Sequence, residues 1–291
     1  MASLKEVKIR INSVSSTRKI TSAMKLVASS KLRKAQQTIA GMRPYQQRLD
    51  NMMARLTAEV GEEFSTPIAE ERPVRHTVVV CLSSNSSLCG AFNSNVIKAT
   101  FATVDQLREQ GSTVEIIPIG QKIAEKMKKS GFDFESANST LLDRPQYSTV
   151  AEMAASLMSR YEQGEIDKVV MVYNHFKNTA TQVVTTETLL PVSLNNAEVS
   201  ESKPSGTNLN YIIEPSRKEL LESLLPKGTA LKLYTAVLDS LAAEHSARVI
   251  AMQTATDNAD QLLHDLTLMY NKTRQAAITA ELLDIVGASF Q

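Results

Sequence analysis

The chain has 291 residues, 43% of them apolar, enough to bury the core of one large domain or two modest ones and too many for a disordered polymer. Its net charge of +1 conceals a skew: residues 1–48 carry eleven Lys and Arg against one acid, Glu6, so this segment is +10 and the remainder −9. Two cysteines, Cys81 and Cys89, exclude a disulfide framework and fit no zinc spacing, and no apolar run approaches the ~20 residues of a membrane span.

The first 40 residues contain neither Gly nor Pro. Steps of three and four from Leu4 pass through Val7, Ile11, Val14, Arg18, Thr21, Lys25, Ala28, Leu32, Ala35, Ile39, Met42, Gln46, Leu49, Met53, Leu56 and Val60, thirteen of the seventeen positions apolar. This is the heptad seam of a long helix. It is polar at Arg18, Thr21 and Lys25, where burial costs several kcal/mol per unpaired charge, so the seam opens there or the side chains reach outward. Pro44, with Gly41 just before it, is expected to bend or interrupt the helix.

The middle alternates strand and helix patterns. "HTVVVCLSS" is a short β-branched run, followed by a helical pattern over 94–110 and the strand-like "TVEIIPIG". "QKIAEKMKKSG" and "TVAEMAASLMSRYEQG" are helices closed by Gly131 and Gly164, "DKVVMVYNHF" is a third strand, and "TQVVTTETLLPV" an antiparallel edge. Alternation of this kind predicts a parallel sheet with crossover helices. Residues 195–210 have loop composition.

Residues 229–286 again lack Gly and Pro, a run of about 87 Å if wholly helical. The same walk gives Leu231, Tyr234, Leu238, Leu241, His245, Arg248, Met252, Ala255, Ala259, Leu262, Leu266, Met269, Thr273, Ala276, Ala280 and Leu283 as a second seam. Two amphipathic helices at opposite ends can cover each other's stripes. The expected fold is therefore α/β: a long antiparallel coiled coil of N- and C-terminal helices with an inserted Rossmann-like domain. The expected boundaries are 1–60 for the first helix, 74–211 for the α/β domain and 212–291 for the second helix.

Catalytic chemistry is hard to find. Neither G-x-G-x-x-G after the first strand nor G-x-x-x-x-G-K-[ST] occurs, and no G-x-S-x-G surrounds a serine of "LSSNSSLCGAFNSN". His76, His175, His245 and His264 stand singly, so no cofactor, metal or catalytic residue is expected. The basic start predicts an acidic partner: nucleic acid, lipid headgroups or a protein surface.

Longer motifs narrow the choice. "KITSAMKLVASSKLRKAQ" (19–36) and "MQTATDNADQLLHDLTLMYNKTRQAAITAELLDIVGA" (252–288) resemble the terminal helices of the gamma-subunit family of F-type ATP synthases. "SLCGAFNSN" (87–95) and "YIIEPS" (211–216) are similar to that family's Leu-Cys-Gly turn and Tyr-x-x-Glu-Pro stretch, in matching order along the chain. One departure is Asn85, Ser86 and Ser87, where the family commonly has Asp-Arg-Gly. The cysteine-bearing insert of chloroplast members is absent, and nothing at the start resembles a targeting peptide.

The resemblance implies a non-catalytic rotor on the cytoplasmic face of the bacterial inner membrane. Its partners would be three alpha and three beta subunits, an epsilon subunit and a c-ring that alone touches the membrane, with proton flow driving ATP synthesis. Residue by residue, it places Met24, Lys25, Arg274, Gln275, Thr279 and Glu281 against beta, and Tyr211 and Glu214 against the c-ring and epsilon. The plainer readings are a solvated basic face for Met24 and Lys25, an exposed ion pair for Arg274 and Glu281, and a turn into the helix for Tyr211 and Glu214. The rival function is a nucleic-acid-binding module with a basic coiled-coil arm. Against it, Tyr45 is the lone aromatic in residues 1–48, leaving little for bases to stack on.

Overall fold

The computed structural model describes residues 3–60, 66–193, 213–214 and 216–289. Two long helices, α1 (Leu4–Val60) and α6 (Arg217–Ser289), open and close it. Both begin on the same local device, Ser-x-x-Glu. Ser3 Oγ accepts from the Glu6 N–H at 3.3 Å while the Ser3 N–H donates to Glu6 Oε2 at 2.9 Å. Ser216 Oγ accepts from the Glu219 N–H at 3.2 Å and donates to Glu219 Oε1 at 3.0 Å. Each box satisfies donors that the first turn leaves without helical partners.

Pro44 does not interrupt α1, which runs through it to Val60. Ala40 and Pro44 are both exposed, so the carbonyl deprived of its helical N–H can be hydrated, and half-buried Met42 and Gln46 hold the chain on either side. Likewise α6 begins well before the breaker-free run and takes in Pro226 and Gly228.

The chain divides into two compact units, Lys31–Ala247 and Met1–Ser30 with Arg248–Gln291. The first is built on strands β1 (His76–Leu82), β2 (Thr113–Ile119), β3 (Lys168–Phe176) and β4 (Gln182–Leu190) in the order β2-β1-β3-β4. β1 is parallel to both neighbours and β4 is an antiparallel edge, as the sequence pattern predicts. Helices α2 (Phe92–Glu109) and α3 (Gln121–Lys129) cover one face, where Val79, Cys81, Ile116 and Val172 meet Val96, Val104, Ile123 and Met127. The other face, Val78, Val80, Leu82, Met171 and Tyr173, packs with α5 (Tyr147–Glu162), with Leu49 and Leu56 of α1, and with Leu233, Val237 and Leu241 of α6. Sandwiched on both faces, β1 is buried from Thr77 to Leu82, as a central parallel strand should be.

Within this unit α6 is a core helix, buried at every residue from Ala236 to Ala247. It comes so close to α1 that a Cβ on Gly228 would lie 2.9 Å from Met53 Sδ.

Two polar arrangements fix the sheet's ends. Arg72 Nη2 donates to the carbonyls of Tyr161 and Ile166, its guanidinium lies 4.2 Å above the Tyr161 ring, and Nε is 3.0 Å from Asp167 Oδ1. Asp167 Oδ2 accepts from the Arg75 and His76 N–H groups, both at 2.9 Å, so the chain entering β1 is tied to the start of β3. At the opposite end the loop after β1 caps α3. Ser83 Oγ accepts from the Ile123 N–H at 3.0 Å, the Ser84 carbonyl from Lys122 at 3.1 Å, and Asn85 Oδ1 from Gln121 at 3.3 Å. Asn85 Nδ2 also reaches the Ser139 carbonyl and Asp143 Oδ1, so the departure from the family's charged triplet has an uncharged structural task at α4 (Thr140–Asp143), a turn the sequence reading did not contain.

The second unit pairs the start of α1 with the end of α6. Thr21 Oγ1 lies 2.9 Å from Thr256 Oγ1, and Arg18 Nη1 donates to Asp260 Oδ1 at 2.8 Å; numbers fall on one helix as they rise on the other, so the pair is antiparallel. The seam does not open at its polar positions. Thr21 is buried, and Arg18 reaches to a half-exposed ion pair at the flank. On α1 each expected seam position from Leu4 to Ala28 is buried or half-buried. On α6 the seam is Met252, Thr256, Ala259, Leu263, Leu266, Tyr270, Thr273 and Ala277, so the expected Leu262, Met269 and Ala276 give way to their next neighbours, while Ala255 and Thr256 are both half-covered.

Two substitutions test this reading. Gly120 has φ +115°, and a Cβ there would sit 2.8 Å from Ser83 Oγ and 2.9 Å from the Ser83 carbonyl. Gly120→Ala is expected to cost roughly 2–4 kcal/mol from strain and overpacking, measured by denaturant unfolding of the full chain. For Asp167, burial raises the carboxyl pKa, and the Arg75 and His76 N–H groups with Arg72 more than reverse it, leaving it below the ordinary value. Its stabilisation is present above the unfolded carboxyl pKa of about 3.9 and disappears as pH falls through the lower folded value. Asp167→Asn should therefore lower stability by about 1–3 kcal/mol at pH 7, with the gap to the parent closing below about pH 4 in pH-dependent melts.

Candidate functional site: a partner interface

Elements that could support chemistry are engaged with one another. In the α/β unit a cleft of about 960 Å³ is lined by Asp50, Tyr173, His175, Glu187, Lys232 and Asp239. His175 Nδ1 lies 2.6 Å from Asp239 Oδ2, Tyr173 Oη donates to Glu187 Oε1 at 3.3 Å, and Lys232 donates to the Thr188 carbonyl at 3.0 Å. Burial pushes the Asp239 carboxyl up, and the nearby His175 pulls it partway back. Burial likewise raises the Cys81 thiol. Among the described residues no three His, Cys, Asp or Glu side chains converge in a metal-holding group.

The larger anomaly is on the helix pair. Ile9, Ile20, Leu26 and Val27 on α1, and Ile250, Leu262, Leu268, Met269, Ile278, Leu282, Leu283, Ile285 and Val286 on α6, are all exposed, Leu26 by 69% and Leu283 by 66%. They are thirteen of the nineteen large apolar side chains exposed among the described residues, held by about a quarter of the chain. Scattered surface leucines need no explanation, but such concentration marks an interaction surface. Lys5, Lys8, Arg10 and Lys19 are exposed among them, so the surface is apolar with a basic fringe on α1.

The sequence-expected contacts fall in two places on this unit. Thr21 opposes Thr256, so Met24 and Lys25, both half-buried, lie near the layer of Met252. Arg274, Gln275, Thr279 and Glu281 lie about 33–44 Å further along α6 at 1.5 Å per residue, all exposed. Thr279 Oγ1 donates to the Gln275 carbonyl at 2.9 Å. With Thr273 and Ala277 in the seam, Arg274 and Glu281 lie at its flank, both exposed. By the same register Leu4 shares the layer of Thr273, so the last turns of α6 continue past the first turn of α1; residues 278–286 are exposed throughout. Glu214 is exposed at a bend before α6, and Tyr211 lies outside the described residues. Ile20, Leu26 and Val27 were missed, although each is an apolar residue off the heptad and thus detectable.

A family model described as ATP synthase matches residues 3–289. The ATP synthase gamma chain of Bacteroides thetaiotaomicron is 49% identical, covering 100% of both chains, and that of Bacteroides fragilis is 50% identical over 99% of each. The chain belongs to the ATP synthase gamma-chain family. The gamma-chain fold also appears in more distant structures. A chain of the Euglena gracilis mitochondrial ATP synthase aligns with TM-score 0.60 at 20% identity, over 99% of this chain and 93% of that one. A chain from the central stalk and c-ring of the Tetrahymena thermophila mitochondrial ATP synthase aligns with TM-score 0.55 at 22% identity, over 81% and 99%. No described helix is long and apolar enough to cross a membrane.

Because Leu282 and Leu283 are exposed by 56% and 66%, Leu282→Ser with Leu283→Ser should leave the unfolding free energy of the chain within about 0.5 kcal/mol of the parent. The same pair should lower its recovery in assembled ATP synthase, measured by quantitative co-purification.

Proposed function

We propose that the chain is the rotary central stalk of an F-type ATP synthase, carrying torque between a membrane c-ring and a ring of catalytic subunits without an active site of its own. The observation that carries this is membership of the gamma-chain family across residues 3–289. The helix pair supplies the physical means: its seam resists sliding, while its outer surface is apolar and basic, suited to partners that surround it.

On this reading three alpha and three beta subunits encircle the pair. The apolar end of α6 sits in a sleeve whose contacts are non-directional and so permit turning. Met24 and Lys25 with the surrounding bases meet acidic loops of beta, and Arg274, Gln275, Thr279 and Glu281 meet beta further along. Glu214 and Tyr211 face the c-ring and epsilon. The complex lies on the cytoplasmic face of the bacterial inner membrane, with proton flow as its drive. The relatives named above are ATP synthase chains, and nothing among them favours the nucleic-acid reading.

Native mass spectrometry of the tagged chain purified from its own cells should show one copy with three each of two larger subunits and ATPase activity; recovery alone or with RNA overturns the proposal. In that complex Arg274→Ala with Gln275→Ala should reduce ATP-driven proton pumping at least several-fold while the assembled yield stays near the parent's. Equal loss of assembly and pumping would reject a coupling role for these two residues.

A further inference from the structure

α6 offers the seam two stripes. Both share Met252, Ala259 and Leu266; one alternates these with Ala255, Leu262, Met269, Ala276 and Leu283, the other with Thr256, Leu263, Tyr270 and Ala277. Apolar burial alone favours the first, which contains no hydroxyl beyond the Thr273 that both stripes share. From Leu262 onward the helix pair covers the second: Leu262 and Met269 are about half exposed, at 49% and 51%, and Leu283 more so, whereas Leu263, Tyr270 and Ala277 lie partly covered; at the Thr256 layer Ala255 and Thr256 are covered alike. Apolar burial has not chosen the setting.

The second stripe has a cross-helix bond that the first lacks. Thr21 and Thr256 hydroxyls are 2.9 Å apart, and each also reaches a carbonyl of its own helix, Arg18 at 3.0 Å and Met252 at 2.8 Å. One hydroxyl therefore donates across the seam and the other donates along its helix, so both are satisfied. One turn away Arg18 bonds Asp260 at 2.8 Å. Hydrogen bonds fail within a few tenths of an ångström, whereas apolar contacts tolerate slip, which is why one polar layer can set the register of an apolar seam. Turning the first stripe inward rotates α6 by about 50°, half the ~100° between successive residues, and carries Thr256 and Asp260 away from their partners.

We infer that the Thr21–Thr256 pair, flanked by Arg18–Asp260, sets the rotational setting of α6 against α1, and thereby turns the stripe Leu262, Met269 and Leu283 outward to partner subunits. These are positioning residues; the first half of the inference concerns the chain alone, and the second half rests on the stalk reading.

Disulfide mapping in the full chain tests the first half. One heptad along the antiparallel pair, Val14 opposes Leu263, and the native Cys81 and Cys89 are both buried. With the threonines present, Val14→Cys with Leu263→Cys should cross-link on mild oxidation roughly tenfold faster than Val14→Cys with Leu262→Cys. In a Thr21→Val, Thr256→Val background this ratio should fall towards one, and Thr21→Ser with Thr256→Ser, which keeps the hydroxyls, should restore it. An unchanged ratio in the valine background overturns the inference. If the valine pair does not fold, Arg18→Gln serves instead, expected to lower the ratio by a smaller factor, and an unchanged ratio there overturns it equally. In the assembled ATP synthase the valine pair should reduce proton pumping per ATP hydrolysed while ATPase activity persists. A shifted cross-link with full coupling overturns the partner-facing half alone, and a complex that assembles without this chain overturns the stalk reading and leaves the cross-link result standing.

Discussion

A long helix satisfies its own backbone polar groups, so what its side chains meet decides everything else about it. α6 meets two different demands along one uninterrupted backbone. From Ala236 to Ala247 it is buried on every side as a core helix of the α/β unit, and from Arg248 onward it shows a seam on one face and apolar side chains on the others. The sheet depends on the first of these, since Leu233, Val237 and Leu241 complete the layer over β1 and β3. The helix pair depends on the second.

Much of this was readable in the residues. The heptad walk along α1 located every seam position from Leu4 to Leu56, because Val, Ile and Leu recur there against a charged background and permit one frame. The strands were legible from β-branched runs, those of β2 and β3 opening just after Gly111 and Gly164. On α6 the walk went astray at alternate positions because neighbours such as Leu262 and Leu263, or Ala276 and Ala277, are equally apolar, and periodicity cannot choose between adjacent equals. Pro44 does not interrupt α1 as the local rule allowed, because exposed Ala40 leaves the freed carbonyl open to water and half-buried Met42 and Gln46 hold the chain on either side. The two Ser-x-x-Glu boxes, Ser3 with Glu6 and Ser216 with Glu219, were legible helix starts that went unused.

The site was less legible than the fold. Nothing in the charge of Arg274 or Glu281 separates a partner contact from a solvated pair, and their assignment came from family resemblance. Ile20, Leu26 and Val27 needed no resemblance, only the observation that an apolar residue off the seam has no internal place to go. The structure adds what neither approach contains, namely which side of α6 is free, and it does so through a hydroxyl pair that a hydropathy scale counts against burial.

The last turns of α6 have a consequence of another kind. Past the layer of Thr273 about four turns of α6 remain, with Ala277 alone among the described side chains half-covered and the rest exposed, near the length at which an isolated helix in water is only marginally stable. If partner subunits enclose them, as the stalk reading proposes, the contacts made there must also offset the entropy lost in holding these turns straight. Association at this end is correspondingly weak for the apolar area it covers. A bearing gains from that weakness, because a tip gripped lightly can be turned without being pulled apart.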